Sequence, residues 1–352
     1  MSVSSTNSKS LFPVVVVVGP TASGKSALAL DIAERFGGEI VNFDAVQVYR
    51  QFDIGTAKTP LQGRRGIPHH LLDILEPHAL FTAGDYAELA RRVLAGIRGK
   101  SQLPVLVGGT GFYLRALLDG LFEGPKRDEQ LRRRLHMRAQ SMPEGYLHRL
   151  LTRLDPASAE RIHANDTPKL IRAIEVSLLA RAPMSSLWRT GTKRLEGYEV
   201  IHIGLDPPRD ILYAGIERRA ERMFSAGLVG ETQLLVSLGI PRSARPFGSL
   251  GYRQALHYLD GKITREEAIL VTSRMTRRYA KRQMTWFRRN PDTRWFHGCG
   301  TDDEIRTQVL AYLEGCLSPY PSVFVDKAMV SRERNRSDCC LFRPTDCCAV
   351  DR

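Results

Sequence analysis

A phosphate-binding loop lies near the start of this chain. Residues 19–26 read Gly-Pro-Thr-Ala-Ser-Gly-Lys-Ser and fit the pattern G-x-x-x-x-G-K-[ST]. Glycines allow backbone N–H groups to turn toward phosphate oxygens, Lys25 adds a positive charge, and the Ser26 hydroxyl is a ligand for Mg²⁺. The alternative, a Gly/Ser turn without a ligand, leaves Lys25 unexplained. The predicted cradle consists of Gly19, Pro20, Thr21, Ala22, Ser23, Gly24, Lys25 and Ser26.

Polar residues also follow two later apolar runs. Asp44 comes directly after Glu39–Phe43, and the run that ends at Val107 continues into Gly108-Gly109-Thr110. A carboxylate facing the cradle could act as a general base or bind Mg²⁺ through water, whereas a turn or N-cap aspartate would have only a structural role. Thr110 could contact a ligand, or the glycines before it could simply form a strand-to-helix turn.

Several arginines lie on or just before the helix predicted over residues 210–226. One that reached the cradle would stabilise the charge of a bound diphosphate. Most arginines on a helix are only solvated, so the pattern alone does not select among the four. They are Arg209, Arg218, Arg219 and Arg222.

Two basic segments indicate a nucleic-acid partner. The chain has 352 residues and a formal net charge of +13, which favours binding to a polyanion. One segment, 274–289, interleaves basic side chains with Tyr279, Trp286 and Phe287, as in RNA-binding surfaces. The alternative is two solvated helix faces. The basic residues are Lys126, Arg127, Arg132, Arg133, Arg134 and Arg138 in the first segment, and Arg274, Arg277, Arg278, Lys281, Arg282, Arg288 and Arg289 in the second.

The elements that must position these residues follow an α/β pattern. Apolar runs alternate with amphipathic helical stretches, which predicts a P-loop NTPase-like, doubly wound parallel sheet with ligands beyond the carboxyl ends of its strands. Residues 121–199 are basic and helical in pattern, so we predict a helical insertion domain there. The core is then 13–120 and 200–316, and residues 1–12 and 317–352 are predicted to be disordered. The predicted strands are Val14–Val18, Glu39–Phe43, Pro104–Val107, Val200–Leu205 and Thr293–Phe296.

Bulk properties favour a cytoplasmic protein. No apolar stretch approaches the length of a membrane span, and residues 2–10 lack the apolar centre of a signal peptide. Six cysteines in a long basic chain fit a reducing compartment. Four of them form two adjacent pairs, 339–340 and 347–348, which we interpret as free thiols of an unstructured tail, with zinc binding as the alternative.

The ordered set of motifs resembles the tRNA dimethylallyltransferase (tRNA isopentenyltransferase) family, in its bacterial form, from about Val14 to Phe296. Besides the cradle, the stretches that carry the resemblance include Asp-Ala-Val-Gln-Val-Tyr (44–49), Asp-Ile-Gly-Thr-Ala-Lys (53–58), Pro-His-His-Leu-Leu-Asp (68–73) and Val-Gly-Gly-Thr-Gly-Phe-Tyr (107–113). Further stretches are Asn-Asp-Thr-Pro-Lys-Leu-Ile-Arg-Ala-Ile-Glu-Val (165–176), Leu-Gly-Tyr-Arg (250–253) and Thr-Arg-Arg-Tyr-Ala-Lys-Arg-Gln-Met-Thr-Trp-Phe (276–287).

The resemblance implies a reaction and roles for these residues. The cradle would hold the diphosphate of dimethylallyl diphosphate, and the prenyl group would pass to the exocyclic amine of the adenine 3′ of a tRNA anticodon. Asp44 would be the general base, and Lys25, Arg219 and Mg²⁺ on Ser26 would stabilise the leaving diphosphate. Thr110 would contact the target nucleotide, which must leave its stack.

The resemblance also implies contacts with the tRNA anticodon stem-loop, a monomer, and no membrane partner. Gln47 would read the base, and the helical insertion would hold the stem. The implied contact positions are Asp44, Ala45, Val46, Gln47, Thr110, Arg132, Pro168, Lys169, Leu170, Ile171, Arg172, Gly248, Ser249, Leu250, Gly251, Tyr252 and Arg253, beside Arg277, Lys281 and Arg282 of the basic segment.

Two other functions fit parts of the pattern. A nucleotide kinase-like phosphotransferase would explain the cradle but not the two basic segments. A non-enzymatic RNA-binding protein would explain the basic segments but would leave the cradle without a role. Transfer of a prenyl group, of a phosphoryl group, or of neither distinguishes the three.

Overall fold

A six-stranded parallel sheet is the central element of the structure, a computed structural model that describes residues 11–189 and 191–320. In chain order the strands are β1 (Phe12–Val18), β2 (Glu39–Asn42), β3 (His69–His70), β4 (Pro104–Val107), β5 (Tyr198–Leu205) and β6 (Arg294–Phe296). They lie side by side in the order β3-β2-β4-β1-β5-β6, and every pairing is parallel. The predicted fold class is thereby confirmed.

Strand β1 is central because its sequence suits burial on both faces. Residues 14–18 are all valine and all buried, and a continuous β-branched run is typical of a strand covered on both sides. From β1 the chain first builds the β4, β2 and β3 side of the sheet, and after β4 it crosses to β5 on the other side. This change of direction opens a crevice at the carboxyl ends of β1 and β4, where open parallel sheets bind ligands.

Thirteen α-helices complete the described part of the chain. The helix Arg265–Phe287, α12, is capped by Thr264, whose side chain accepts from the Glu267 N–H while Glu267 accepts from the Thr264 N–H, so the two residues form a capping box. The helices are α1 (Lys25–Phe36), α2 (Ala83–Gly99), α3 (Gly111–Leu118), α4 (Glu129–Ser141), α5 (Tyr146–Leu154), α6 (Pro156–Arg161), α7 (Thr167–Ala180), α8 (Met184–Arg189), α9 (Arg209–Ser225), α10 (Leu228–Ser237), α11 (Tyr252–Leu259), α12 (Arg265–Phe287) and α13 (Asp303–Leu317).

The contacts divide the chain into two compact units. One unit extends to Tyr113 and resumes at Gly197, and it contains the sheet. One apolar cluster joins the strands to α1 and α13, with Leu28 and Leu313 fully buried. The other unit is Leu114–Glu196, a helical unit with its own core around Leu151 and Ile174.

Helices and strands that the sequence pattern missed are short or lie near the chain's end. Strand β3 has two residues, too few to show any periodicity. Helices α6 and α8 have six residues each, and α13 was not predicted although its buried Ile305, Val309 and Leu313 have helical spacing. Of the five predicted strands, all correspond to strands of the sheet.

The predicted terminal segments overlap the described chain only slightly. The structure describes residues 11–12 and 317–320 of the two segments that were predicted to be disordered. Phe12 begins β1, Leu317 ends α13, and Tyr320 packs against the same apolar cluster. The four cysteines of the predicted tail lie outside the described residues.

Candidate active site

The cradle wraps between β1 and α1 in a form that requires glycine. Gly19 has φ +149° and Gly24 has φ +81°, values that L side chains rarely adopt. A Cβ on Gly24 would lie 2.9 Å from the backbone nitrogens of Gly300 and Thr301, and the Gly300 N–H donates to the Ser23 carbonyl at 2.8 Å. The loop after β6 therefore packs directly against the cradle and fixes its outer turn.

Lys25 lies in the cradle among other charged groups. Its Nζ donates to the Pro20 carbonyl at 2.7 Å, so the ammonium is directed over the loop. Burial and, to a lesser extent, the nearby Arg219 guanidinium lower the pKa of Lys25 and Asp44 raises it, and the net pKa is about 7. Two cations close together in a partly buried site favour an anion between them.

Asp44 has one carboxylate oxygen engaged and one free. Oδ1 accepts from the Val46 N–H at 2.9 Å and from the Gln47 N–H at 3.3 Å, which closes the turn after β2. Oδ2 accepts no hydrogen bond from any residue within 11–189 or 191–320, and a Cβ on Gly109 would lie 3.2 Å from it. One oxygen of Asp44 therefore holds a turn, and the other has no protein partner among the described residues, so its role as a general base stays a prediction.

Thr110 closes the other side of this turn. Its N–H donates to the Phe43 carbonyl at 3.2 Å, and its Oγ1 accepts from the Ala45 N–H at 2.9 Å. The hydroxyl proton of Thr110 is thus directed away from the Ala45 N–H and can be donated to another acceptor. The loops that follow β2 and β4 are joined at this residue.

Arg219 extends from α9 toward the loop at 53–58. Its Nη2 lies 3.5 Å from the Thr56 carbonyl, and the Gln47 side-chain amide donates to the same carbonyl at 3.0 Å. Burial lowers the pKa of Arg219, Asp44 raises it, and Arg222 lowers it again. Among the four arginines named above, Arg219 interacts electrostatically with both Lys25 and Asp44.

The loop at 53–58 is held from two sides. Glu231 accepts from the Ile54 N–H at 3.0 Å and from the Tyr252 hydroxyl, while that hydroxyl accepts from the Gly55 N–H at 3.2 Å. On the other side Lys58, whose side chain is 3% exposed, pairs with Asp53 at 2.8 Å and with Asp73 at 2.5 Å. These bonds fix the Thr56 carbonyl that orients Arg219 and Gln47.

One cavity joins these groups. Its volume is about 1110 Å³, ample for a small diphosphate and a nucleoside. Its lining includes apolar side chains such as Ile54, Ile211 and Met223 in addition to the charged ones. The charged and polar residues of the site that line it are Thr21, Lys25, Ser26, Asp44, Gln47, Thr56 and Arg219.

Comparison with known proteins identifies the family. Residues 47–290 match the profile described as IPP transferase, and residues 12–67 match that described as isopentenyl transferase. The chain is 55% identical to the tRNA dimethylallyltransferase of Solibacter usitatus over 84% of this chain and 95% of that protein. It is 56% identical to that of Koribacter versatilis over 82% and 94%, respectively. The chain belongs to the IPP transferase family.

Solved structures of the IPP transferase family share the fold. The tRNA isopentenylpyrophosphate transferase of Bacillus halodurans matches with a TM-score of 0.65 and 38% identity over 87% of this chain and 97% of that chain. A eukaryotic dimethylallyltransferase that acts on tRNA matches with a TM-score of 0.75 at 24% identity, a likeness of fold. The predicted family membership is confirmed.

The surroundings of Ser26 suit its predicted role as a magnesium ligand. Ser26 is exposed, lines the cavity, and its hydroxyl has no hydrogen-bond partner among the described residues. No cluster of three or more His, Cys, Asp or Glu side chains suited to a metal occurs within those residues. One hydroxyl together with diphosphate oxygens and water is a typical environment for Mg²⁺, which seldom has an all-protein cage.

In the helical unit, two of the predicted RNA-contact arginines are paired with a buried carboxylate. Glu175 is fully buried and accepts from Arg132 at 3.1 Å and from Arg172 at 2.7 Å. Lys169 is exposed and pairs with Asp166 at 2.5 Å, next to Pro168. Leu170 and Ile171 are buried in the core of this unit, so their side chains are not available to a ligand.

The segment 248–253 also mixes exposed and buried residues. Arg253 and Gly248 are exposed, and Ser249 and Leu250 are half-buried. Tyr252 is fully buried between Phe52 and Phe247, and Gly251 is buried with φ +94°. The Tyr252 side chain therefore stabilises the loop at 53–58 rather than facing a ligand.

On α12, the predicted basic face is only partly free. Arg277 pairs with Glu217 and lies 4.8 Å from the centre of the Tyr213 ring. Lys281 and Arg282 are exposed, and neither pairs with a carboxylate of the described chain. Within the described ranges, no helix has both the length and the apolar character needed to cross a bilayer.

Several residues that hold the site in place had no predicted role, and some of their partners lie far away in the sequence. Thr56, Lys58 and Gln283 lie in motifs that carried the resemblance, but no role was predicted for them. Glu231 was not singled out. The partners of Glu231 and Gln283 are 177 and 262 residues away, and no local pattern signals such pairs.

The lowered pKa of Lys25 makes anion binding depend on pH. A bound diphosphate raises the pKa of Lys25 again, so binding takes up a proton above about pH 7 and weakens as the pH rises from about 6 to 8. Calorimetry with inorganic diphosphate in buffers of different ionisation enthalpy measures this uptake. In Lys25→Arg the charge stays fixed, and we expect no uptake by this residue; equal uptake in both proteins would contradict the assignment.

Proposed function

We propose that this chain transfers a dimethylallyl group from dimethylallyl diphosphate to the exocyclic amine of the adenine 3′ of the anticodon, position 37, in tRNA. Membership of the IPP transferase family supports the class of reaction. The observation that carries the proposal is that the free oxygen of Asp44 and the cationic cradle belong to one cavity. Phosphoryl transfer can also use an aspartate base beside a phosphate site, so membership of the family, and not this geometry alone, favours prenyl transfer.

The chemistry follows from the positions of these groups. The adenine nitrogen forms a bond to C1 of the prenyl group while the C1–O bond to diphosphate breaks and its electrons leave with the oxygen. Asp44 takes the proton from the nitrogen, which becomes acidic as it forms the bond. Lys25 and Arg219 stabilise the charge that develops on the leaving group. Mg²⁺, with Ser26 and diphosphate oxygens as ligands, supplies further neutralisation when bound.

The acceptor must reach this cavity as an extruded base. Flipping one nucleotide out of the stack costs a few kcal/mol, which contacts to the flipped base offset. Thr110 and Gln47 lie beside Asp44 and supply a hydroxyl and an amide for that purpose. Contacts to the anticodon stem-loop come from exposed basic residues, among which we include Lys169, Arg253, Lys281 and Arg282.

A single incubation tests the proposal against its two rivals. The protein is mixed with Mg²⁺, unmodified tRNA and either labelled dimethylallyl diphosphate or labelled ATP, and the tRNA nucleosides are analysed by mass spectrometry. We expect N6-dimethylallyladenosine at position 37 in the first mixture. Phosphoryl transfer without prenylated adenosine would support a kinase, and tRNA protection by diphosphate without product would support a binding protein.

The free cations on α12 give a prediction about tRNA affinity. In the double variant Lys281→Ala, Arg282→Ala we expect weaker binding and a plot of log K against log salt that is shallower by about 1.4 to 1.8, because each phosphate contact contributes about 0.7 to 0.9. The control removes the same charge elsewhere, through Arg35→Ala with Arg306→Ala on α1 and α13. An unchanged slope in the first variant would exclude these two side chains as phosphate contacts.

A further inference from the structure

A buried glutamine joins two segments of the site that lie far apart in sequence. Gln283, on α12, is 4% exposed. Its Oε1 accepts from the Thr21 N–H at 2.8 Å and from the Thr21 hydroxyl at 3.1 Å, and its Nε2 donates to the Gly109 carbonyl at 2.9 Å. Both ends of the amide are therefore engaged, one by the cradle and one by the loop after β4.

The Gly109 carbonyl is held twice by the same helix. Tyr279, one turn before Gln283, donates its hydroxyl to that carbonyl at 3.1 Å. A larger residue at Gly109 would displace the Gln283 amide, since a Cβ there would lie 2.7 Å from the Gln283 Nε2 and 3.2 Å from the Asp44 Oδ2. Helix α12 thus fixes the loop that carries Thr110 and borders the proposed base.

We infer that Gln283 is a positioning residue that sets the distance between the diphosphate cradle and the acceptor side of the site. The inference rests on the proposed function, in which the prenyl donor bound in the cradle must meet the adenine amine on the acceptor side. Transfer between two bound substrates depends steeply on their alignment, and a displacement of about 1 Å can cost about 10²-fold in rate. Each substrate should still bind when this link is lost, because the cradle and the acceptor loop remain intact.

A change in the chemistry of the linking amide can distinguish a positioning role from a purely structural one, because it makes the link depend on pH. In Gln283→Glu, the carboxylate still accepts from Thr21 but places an oxygen against the Gly109 carbonyl oxygen. Protonation restores a donor there, so the link re-forms at low pH. The titratable groups that face this position are Asp44, beside Gly109, and Tyr279 on the same helix, with Lys25 in the cradle beyond. Burial and the Asp44 charge raise the pKa of a glutamate placed here.

The test compares prenyl transfer by Gln283→Glu and wild type over about pH 6 to 8.5, as the ratio of their single-turnover rates. We expect a ratio near 10⁻² at the high end that rises at least about tenfold toward the low end, as protonation restores the bond. Dissociation constants for inorganic diphosphate and for tRNA should change less than about threefold in Gln283→Met, which adds no charge, since alignment and not binding is affected. The ionised glutamate of Gln283→Glu lies beside the cradle and also weakens diphosphate binding, so its rates are compared at saturating substrate. Gln308→Glu makes the same chemical change at an exposed site on α13, and its ratio should stay near one at every pH.

Two further variants keep the inference testable. Tyr279→Phe removes one of the two donors to the Gly109 carbonyl and should lower the transfer rate about three- to tenfold without a change in diphosphate affinity. Gln283→Met removes the link at every pH, so its ratio should be low and flat. The inference would be overturned if the rate ratio of Gln283→Glu to wild type did not change with pH. It would also be overturned if Tyr279→Phe and Gln283→Met lost diphosphate binding as much as they lost rate. Absence of transfer by the wild type would instead refute the proposed function.

Discussion

Asp44→Asn should abolish most prenyl transfer while leaving the fold and the affinity for tRNA intact. Removing a general base from a well-aligned site costs about 10² to 10⁴ in rate. Asparagine keeps an oxygen for the Val46 and Gln47 N–H groups, so the turn that Oδ1 closes is retained. The substitution thus replaces the free oxygen by an NH2 group, which cannot take a proton, and removes the carboxylate charge.

The measurement is the single-turnover rate with saturating tRNA and dimethylallyl diphosphate. It should be made near pH 6, because Asp44 raises the pKa of Lys25 and its loss would otherwise also discharge the cradle at neutral pH. Asp44→Ala is the companion variant, which loses the turn as well and should lower the melting temperature. Near-normal transfer by Asp44→Asn would remove Asp44 as the base, whatever the alanine variant does.

Arg219→Met should lower the rate of transfer and raise the thermal stability of the free protein. Loss of one group that stabilises a developing negative charge typically costs about 10² to 10³ in rate. In the free protein, burial and the neighbouring Arg222 lower the pKa of Arg219, and Arg219 in turn lowers that of Lys25. Removing this cation relieves a repulsion that only a bound anion otherwise offsets.

The comparison for this variant is Arg222→Met, one turn further along α9. Arg222 is exposed and also lines the cavity, so its loss should change rate and melting temperature much less. A second readout is the pKa of Lys25, which should rise in Arg219→Met and shift the pH dependence of diphosphate binding upward. A drop in melting temperature together with unchanged transfer would show that Arg219 is a structural residue.

The sequence predicted the parts of the site that are local. The cradle at 19–26 and Asp44 each follow a buried strand, and the parallel sheet brings the ends of such strands to one edge. What the sequence could not predict are contacts between distant elements, such as Glu231 with Ile54 or Gln283 with Thr21. Those pairs depend on how α10 and α12 pack, which no local spacing encodes.

The basic residues also depend on contacts that the local sequence does not predict. A run of arginines predicts a charged surface but not which members are already neutralised. Arg132 and Arg172 pair with the buried Glu175, and Arg277 pairs with Glu217, whereas Lys281 and Arg282 are unpaired within the described chain. Glu175 lies on α7, which is amphipathic by its sequence, and it is buried because of how α7 packs in its unit.

The phosphate cradle is completed by a segment that is synthesised much later, the loop after β6. Gly300 and Thr301 abut Gly24, and the Gly300 N–H bonds to Ser23. A nascent chain that has released the glycine-rich loop from the ribosome therefore still lacks the segment that closes its outer turn. A polypeptide that ends before residue 300 would therefore contain the complete motif but lack the contacts that close its outer turn.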